Sequence, residues 1–265
     1  MKNLCLVKIG GSAITDISKP NTPRRGEIIR ISKEIHAARK HVSIIVGHGS
    51  GSFGHVPAAK YKVQLGLINS RSLEGASMTQ HAAAMLHRIV IGEMFKVGLK
   101  PASFPPANAI TSGGRIKEWY ITPIMRALEN GFLPVTYGDV TMDLKQGVAI
   151  VSTEEALRYL ANELKPSRII LGSDIDGVFT SNPKIDTNAR LISRIDSRNI
   201  GSALSGASGS TKVDVTGGMR TKLKYLYEMS KNTGAEGMIV NINVPGRLYK
   251  AMLGKHVVGT VVKYE

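Results

Sequence analysis

The 265 residues carry 35 lysines and arginines against 20 aspartates and glutamates, a formal net charge of +15, with 42% apolar and 5% aromatic residues. This length can bury a full core, no run approaches the ~18 consecutive apolar residues of a membrane span, and the single cysteine, Cys5, excludes an internal disulfide or a cysteine-built zinc site. The basic residues are scattered among apolar helix positions and lack an aromatic platform, so they predict a solvated surface and a field attracting polyanionic substrates, not a nucleic-acid interface.

The opening "MKNLCLVKIGGS" reads as a strand ending in glycines. Its apolar run is too short for a secretory leader, and with one buried-type cysteine a cytoplasmic location is expected. Residues 24–40 place Ile28, Ile31 and Ile35 on one helix face and lead into the strand "VSIIVGH". Residues 74–97 predict a long helix with an alanine, methionine and isoleucine stripe. "KPASFPPANAI" predicts a short strand and a loop, because its prolines block a helix. "TPIMRALENG" is a helix stopped by Gly131, and "FLPVTYGDV" a strand ending in Gly138 and Asp139.

Farther on, "TMDLKQGVAIVS" predicts a hairpin, and "TEEALRYLANELKP" a helix capped by Thr153 with acids in its first turn. "RIILGSDIDGVF" is a buried strand running into an acidic turn. "SALSGASGSTKVDVTGGMR" reads as a long glycine-rich loop, followed by the helix "TKLKYLYEMSKNTGA" and the strands "EGMIVNI" and "HVVGTVVKY". Strands alternating with helices predict a largely parallel sheet covered by helices. No repeat, low-complexity tract or linker divides the chain, so residues 1–265 are expected to form one unit, with approximate lobes 1–150 and 151–265.

Gly49-x-Gly51-x-x-Gly54 matches the dinucleotide-binding fingerprint by letter. That fold needs an acid about 20 residues on, at the end of the next strand; here Glu74 has the spacing but opens a helix. A second reading fits more of the chain. "KIGGS", "GHGSGSFGH" and "YGD" each place glycines after a strand, and "TGGM" precedes a helix. Such turns aim backbone N–H groups at anions, and parallel strands bring their ends to one edge. Several phosphate-binding turns on one edge predict phosphoryl transfer. The Walker A pattern and the HRD and DFG kinase motifs are absent. Lys8, between apolar residues at the end of the first strand, is costly to bury without an anionic partner. The glycines alone leave a dinucleotide-dependent oxidoreductase open.

Taken together and in order, "KIGGSAITD", "HGSGSFGH", "GFLPVTYGDV", "SDIDGVF" and "DVTGGMRTK" resemble the amino acid kinase superfamily, and within it the isopentenyl phosphate kinases. His55, directly after "GSFG", carries that distinction: carboxylate-phosphorylating members generally lack it. Fosfomycin kinases have a similar "GGAFGH", so His55 marks acceptors bearing a phosphate or phosphonate. The resemblance implies a three-layer α/β/α sandwich with a mainly parallel central sheet, in a homodimer. It implies acceptor binding in the first lobe and ATP with Mg2+ in the second. The implied reaction converts isopentenyl phosphate and ATP to isopentenyl diphosphate and ADP. A superfamily member acting on another phosphate, a phosphonate or a carbamate is the alternative, and no membrane partner is expected.

Carried over residue by residue, the resemblance sets Lys8 on the transferring phosphoryl group and Gly10, Gly11 and Ser12 on the nucleotide phosphates. Ser50, Gly51 and His55 would contact acceptor phosphate, with Ser50 where the family usually has glycine; Gly51 serves the nucleotide as well. His48 would order this loop, while His36, His41, His81, His87 and His256 read as structural. Gly138 and Asp139 lie beside the acceptor, and Asp174 and Asp176 order the nucleotide region. Gly217, Gly218 and Lys222 reach the ATP phosphates. "STEE" replaces the family's "SGDD", so Glu154 takes over from an aspartate that organises the catalytic lysines. Ile17 stands where a lysine is common, with Lys19 two residues on. Ala76, Met78, Thr79, Ala83, Val140 and Ile150 are candidates for the wall around the acceptor's hydrocarbon tail, and no protein-built metal site is expected.

Overall fold

The computed structural model describes residues 3–183, 185–207 and 218–265. The chain begins with strand β1 (Leu4–Ile9), a one-turn helix α1 (Gly11–Ile14), α2 (Arg25–Ala38), β2 (Ser43–His48), α3 (Gly51–Tyr61) and the long α4 (Ser72–Lys96). β3 (Pro101–Ser103), β4 (Ile110–Ser112), β5 (Arg115–Glu118), α5 (Thr122–Glu129), β6 (Leu133–Tyr137), β7 (Asp139–Asp143) and β8 (Gly147–Val151) follow. The remainder comprises α6 (Thr153–Leu164), β9 (Arg168–Ser173), β10 (Arg194–Ile195), α7 (Ile200–Gly206), α8 (Gly218–Thr233), β11 (Glu236–Asn241), α9 (Arg247–Met252) and β12 (Thr260–Val262).

Successive side chains of a strand point to opposite faces, and the central strands are apolar on both. Cys5, Val7, Ile9, Ile44, Val46, Ile170 and Val240 pack into one core with α2, α4 and α9. Leu4, Leu6, Ile45, Ile169, Leu171 and Ile239 pack into the other with α5, α6 and α8. The result is the three-layer α/β/α sandwich. Its eight-stranded sheet has the order β10-β12-β11-β9-β1-β2-β6-β3, and every neighbouring pair is parallel except β11–β12. Strands from both halves of the sequence share this sheet. Ile28, Ile31 and Ile35 are buried on α2 as their spacing predicts.

Several local expectations are corrected. The strand expected to end in Gly138 and Asp139 stops at Tyr137; Asp139 begins β7 in a second, four-stranded sheet of order β5-β4-β7-β8. β4 and β5 are too short to show alternation, although Gly113 and Gly114, both at positive φ, mark the turn between them. Helix α3 was hidden by two glycines and Pro57, poor helix formers, yet it buries Phe53, Ala58 and Tyr61. The cap of α6 is Ser152, whose side chain accepts from the Glu155 N–H at 3.1 Å. Thr153 instead donates its hydroxyl to the His48 carbonyl at 2.7 Å. The stretch expected as one loop from Ser202 starts inside α7.

Asp143 pins the second sheet. Its carboxylate accepts from the Thr111 hydroxyl (2.8 Å) and from the N–H groups of Gly113, Gly114, Lys145 and Gln146 (3.1, 2.8, 2.9 and 3.1 Å). Burial raises its pKa, but these donors outweigh it and hold the carboxyl well below the usual carboxylate range. A depressed folded pKa adds stability above the unfolded value, and the gain is lost as pH falls through the folded one. Asp143→Ala is therefore expected to lower the melting temperature by roughly 5 °C at pH 7. The gap to wild type should narrow in acid; an equal gap at pH 7 and pH 3 would refute this account.

Candidate active site

Parallel pairing brings the ends of β1, β2 and β9 to one edge, because Ile9 lies opposite His48 and Lys8 lies opposite Leu171. A cleft of about 670 Å³ follows this edge. Its floor is made by two glycine turns, Gly10–Ser12 after β1 and Gly49–Gly51 after β2. The turns are pressed backbone to backbone. A Cβ on Gly11 would lie 2.5 Å from the Gly51 nitrogen, and one on Gly49 would lie 2.8 Å from the Gly11 nitrogen. Gly51 also has φ +49°, and a Cβ there would meet the Thr15 hydroxyl at 2.1 Å. That hydroxyl accepts from Ser52 N–H at 3.1 Å and donates to the Gly11 carbonyl at 2.9 Å, tying the turns together. Among the described residues, the N–H groups of Gly11, Ser12, Ser50 and Gly51 find no backbone acceptor. Such N–H groups at helix starts suit an anion.

Lys8 lies on the floor, only 5% exposed. Its ammonium donates to Glu154 Oε1 in the first turn of α6. Burial raises the Glu154 pKa, but the charges of Lys8 and Lys222 prevail and hold it below the ordinary range. Lys222, on the second turn of α8, also lines the cleft. The start of α6 is seated on the end of β2 through the Thr153–His48 bond, and a Cβ on Gly47 would meet Thr153 Cγ2 at 2.6 Å. One buried carboxylate thus pairs with Lys8 and also feels the charge of Lys222, carried on a different element.

His55, half-buried on α3, lines one half of the cleft with Ser50, Gly138 and Asp139. The wall beside it is apolar, formed by Val56, Ala58, Ala83 and Ile150 with the Thr79 side chain. Asp139 is 3% exposed and accepts from Val140 N–H at 2.8 Å. Burial pushes its pKa up to about 6. Of the other wall candidates, Ala76 and Val140 do not line the cleft; they pack with Tyr61, Val63 and Val148 in a small separate core. Met78 points outward, 45% exposed. Ile17 lines the cleft mouth, whereas Lys19 does not.

The other half of the cleft is lined by Asp174, Gly177, Phe179, Ser181, Pro183 and Met219. All but Asp174 escaped sequence reading, since a strand-end acid is a signal and a scattered loop wall is not. Asp176 lies outside this lining; it pairs with Arg247 and accepts from Asn241 Nδ2 at 3.1 Å. Gly218 begins α8 at φ +61° and does not line the cleft, while Gly217 lies outside the described residues. Glu74, the acid at dinucleotide spacing, accepts from the Tyr61 hydroxyl at 2.9 Å and also lies away from the cleft. Among the described residues no group of three or more His, Cys, Asp or Glu is placed to hold a metal ion. No described helix is long and apolar enough to cross a membrane.

The amino acid kinase family model matches residues 3–241. The chain belongs to the amino acid kinase family. It is 35% identical to isopentenyl phosphate kinase of Methanothermobacter thermautotrophicus, over 97% of this chain and 98% of that protein. It is 33% identical to isopentenyl phosphate kinase of Methanocaldococcus jannaschii, over 98% and 99%. A solved isopentenyl phosphate kinase, 32% identical, superposes with a TM-score of 0.83 over 98% of this chain and all of that one. The Thermoplasma acidophilum isopentenyl phosphate kinase product complex gives 0.79 at 29% identity, over 98% and 100%. This member of the amino acid kinase family is thus a phosphotransferase, with ATP as donor and a small molecule as acceptor.

Proposed function

We propose that this kinase transfers the γ-phosphoryl group of ATP to the phosphate of isopentenyl phosphate, giving ADP and isopentenyl diphosphate. The observation that carries this reading is the seat of Lys8, buried against Glu154 on the floor of a cleft that joins two glycine turns. An acceptor phosphate oxygen attacks the γ-phosphorus, a new P–O bond forms, and the bond to the β-phosphate bridging oxygen breaks. Charge on the transferring group is largest in the transition state, where positioned cations and N–H donors help most. Lys8 and Lys222 supply the cations, and Glu154 holds them in register. Gly10, Gly11 and Ser12 hold the nucleotide phosphates, with Gly51 shared between donor and acceptor.

On the acceptor side, Ser50 and Gly51 offer N–H groups and His55 donates to the acceptor phosphate, with Gly138 and Asp139 beside it. The apolar wall of Val56, Ala83 and Ile150 suits a short hydrocarbon tail and offers little to a carboxylate or nucleoside acceptor. Residues 1–150 supply this half, and residues 151–265 supply the nucleotide half through Asp174 and Lys222. Magnesium would arrive with ATP and would supply positive charge to its phosphates. A cytoplasmic homodimer is part of the same reading.

The deciding assay measures ADP release with MgATP against isopentenyl phosphate, dimethylallyl phosphate, fosfomycin, UMP and acetylglutamate. Turnover is expected with the isoprenoid phosphates. Failure with both, alongside turnover of another acceptor, would overturn the substrate assignment. MgATP should protect the protein against thermal unfolding and NAD should not.

A further inference from the structure

Three aromatic rings, none of which lines the cleft, lie together beside the Gly49–Gly51 turn. His87 of α4 lies 4.3 Å from the Tyr137 ring, centroid to centroid, and His48 lies 5.2 Å from His87. His48 is fully buried and His87 is 5% exposed. The rings are joined end to end: His48 Nδ1 to the Gly49 carbonyl at 3.1 Å, His48 Nε2 to His87 Nδ1 at 2.9 Å, and His87 Nε2 to the Ser103 hydroxyl at 2.6 Å.

The direction of this chain follows from its far end. A carbonyl oxygen only accepts, so His48 Nδ1 must carry the proton. Burial pushes the pKa of His48 down to about 4 and that of His87 lower still, the latter with help from His48, so both rings are neutral near pH 7. His48 Nε2 is then bare and accepts, His87 Nδ1 donates to it, and His87 Nε2 accepts from the Ser103 hydroxyl. Each proton placement forces the next.

We propose that His87 is a positioning residue for the phosphate-binding turn: its Nδ1–H holds the His48 proton on Nδ1, and that donor locks the Gly49–Ser50 peptide. The peptide is planar and trans, so its N–H points opposite to its carbonyl. With the Gly49 oxygen held toward buried His48, the Ser50 N–H faces the cleft. A flip of this peptide turns Gly49 ψ and Ser50 φ, and a glycine on one side resists it only weakly, so the orientation depends on this donor. His48 also receives, on its own carbonyl, the Thr153 hydroxyl (2.7 Å) and the Gly138 N–H (3.2 Å). These two bonds seat the end of β2 against the start of α6 and Gly138. The inference rests on the reading of Ser50 as a donor to acceptor phosphate.

Nitrogen-15 NMR of the histidine rings in the full-length protein tests the relay directly. His48 and His87 should each show a protonated Nδ1 and a bare Nε2. His87→Phe keeps a flat ring against Tyr137 but removes the donor. It should abolish the single tautomer of His48 and weaken inorganic phosphate binding and the acceptor KM about tenfold, with kcat changed less than about threefold. His87→Asn, whose amide N–H stands near the position of Nδ1–H, should recover most of the affinity. A proton on His48 Nε2 in the wild type, or equal acceptor KM values for the Phe and Asn variants, would overturn the proposal. If the Phe variant fails to fold, the wild-type tautomers and the Asn variant still decide. If isopentenyl phosphate is no substrate, the substrate assignment fails, while the tautomers and phosphate binding still judge His87.

Discussion

Lys8→Met is expected to lower kcat about 10³-fold, with the KM for MgATP changed far less. In the proposed mechanism the lysine's ammonium acts where charge gathers only as the phosphoryl group moves, so its loss falls on the transition state. The same substitution leaves Glu154 buried, 4% exposed, without its nearest counter-charge. Breaking a buried pair on one side costs about 3–5 kcal/mol, and Glu154 is expected to relieve part of this by taking up a proton or by leaning on Lys222. Activity and stability are separated by a second variant. Lys8→Met with Glu154→Gln removes both charges and should restore most of the melting temperature while leaving turnover as low as in Lys8→Met. Recovery of turnover in the double variant would refute the role given to Lys8.

His55→Ala is expected to lower kcat/KM for the acceptor about 10²-fold and leave the melting temperature within about 2 °C of wild type. The residue is half-buried at the cleft wall, so its loss exposes little apolar core. His55→Gln, which keeps a donor at similar reach, should recover part of the loss. The KM for MgATP should stay near its wild-type value, because the proposed mechanism puts the donor phosphates on the β1 turn and Lys222. Wild-type acceptor kinetics in His55→Ala would remove the residue from the mechanism.

Much of the fold was legible because it is written at short range. β1, β2, β9 and β11 are apolar on both faces, α2 repeats isoleucine at helical spacing, and Gly131 stops α5 at φ +79°. α3 and the β4–β5 pair were not legible: Gly51, Gly54 and Pro57 weaken the helix signal, and three- or four-residue strands have no period to read. For the cap of α6, two adjacent hydroxyls competed, and only the position of the His48 carbonyl assigns Ser152 to the cap and Thr153 to the strand end. At the cleft wall, Ala76 and Thr79 lie one helical turn apart on α4, yet one joins a small core and the other faces the cleft.

The sequence by itself determined the layered α/β class, the glycine turns after β1 and β2, and the need of Lys8 for an anionic partner. It also singled out His55, because a histidine directly after an anion-binding turn is a local feature. Likeness to the family pointed to Glu154 as the organiser of the catalytic lysines, but only the tertiary structure brings its carboxylate onto Lys8 across 146 residues of sequence. It also joined His87 to the glycine turn, turning a histidine that read as structural into the residue that sets a proton's place. The physical reason is the same in both cases. Periodicity and turn chemistry record how one element meets water or core, whereas an ion pair or a hydrogen-bond chain depends on which elements the sheet order places side by side.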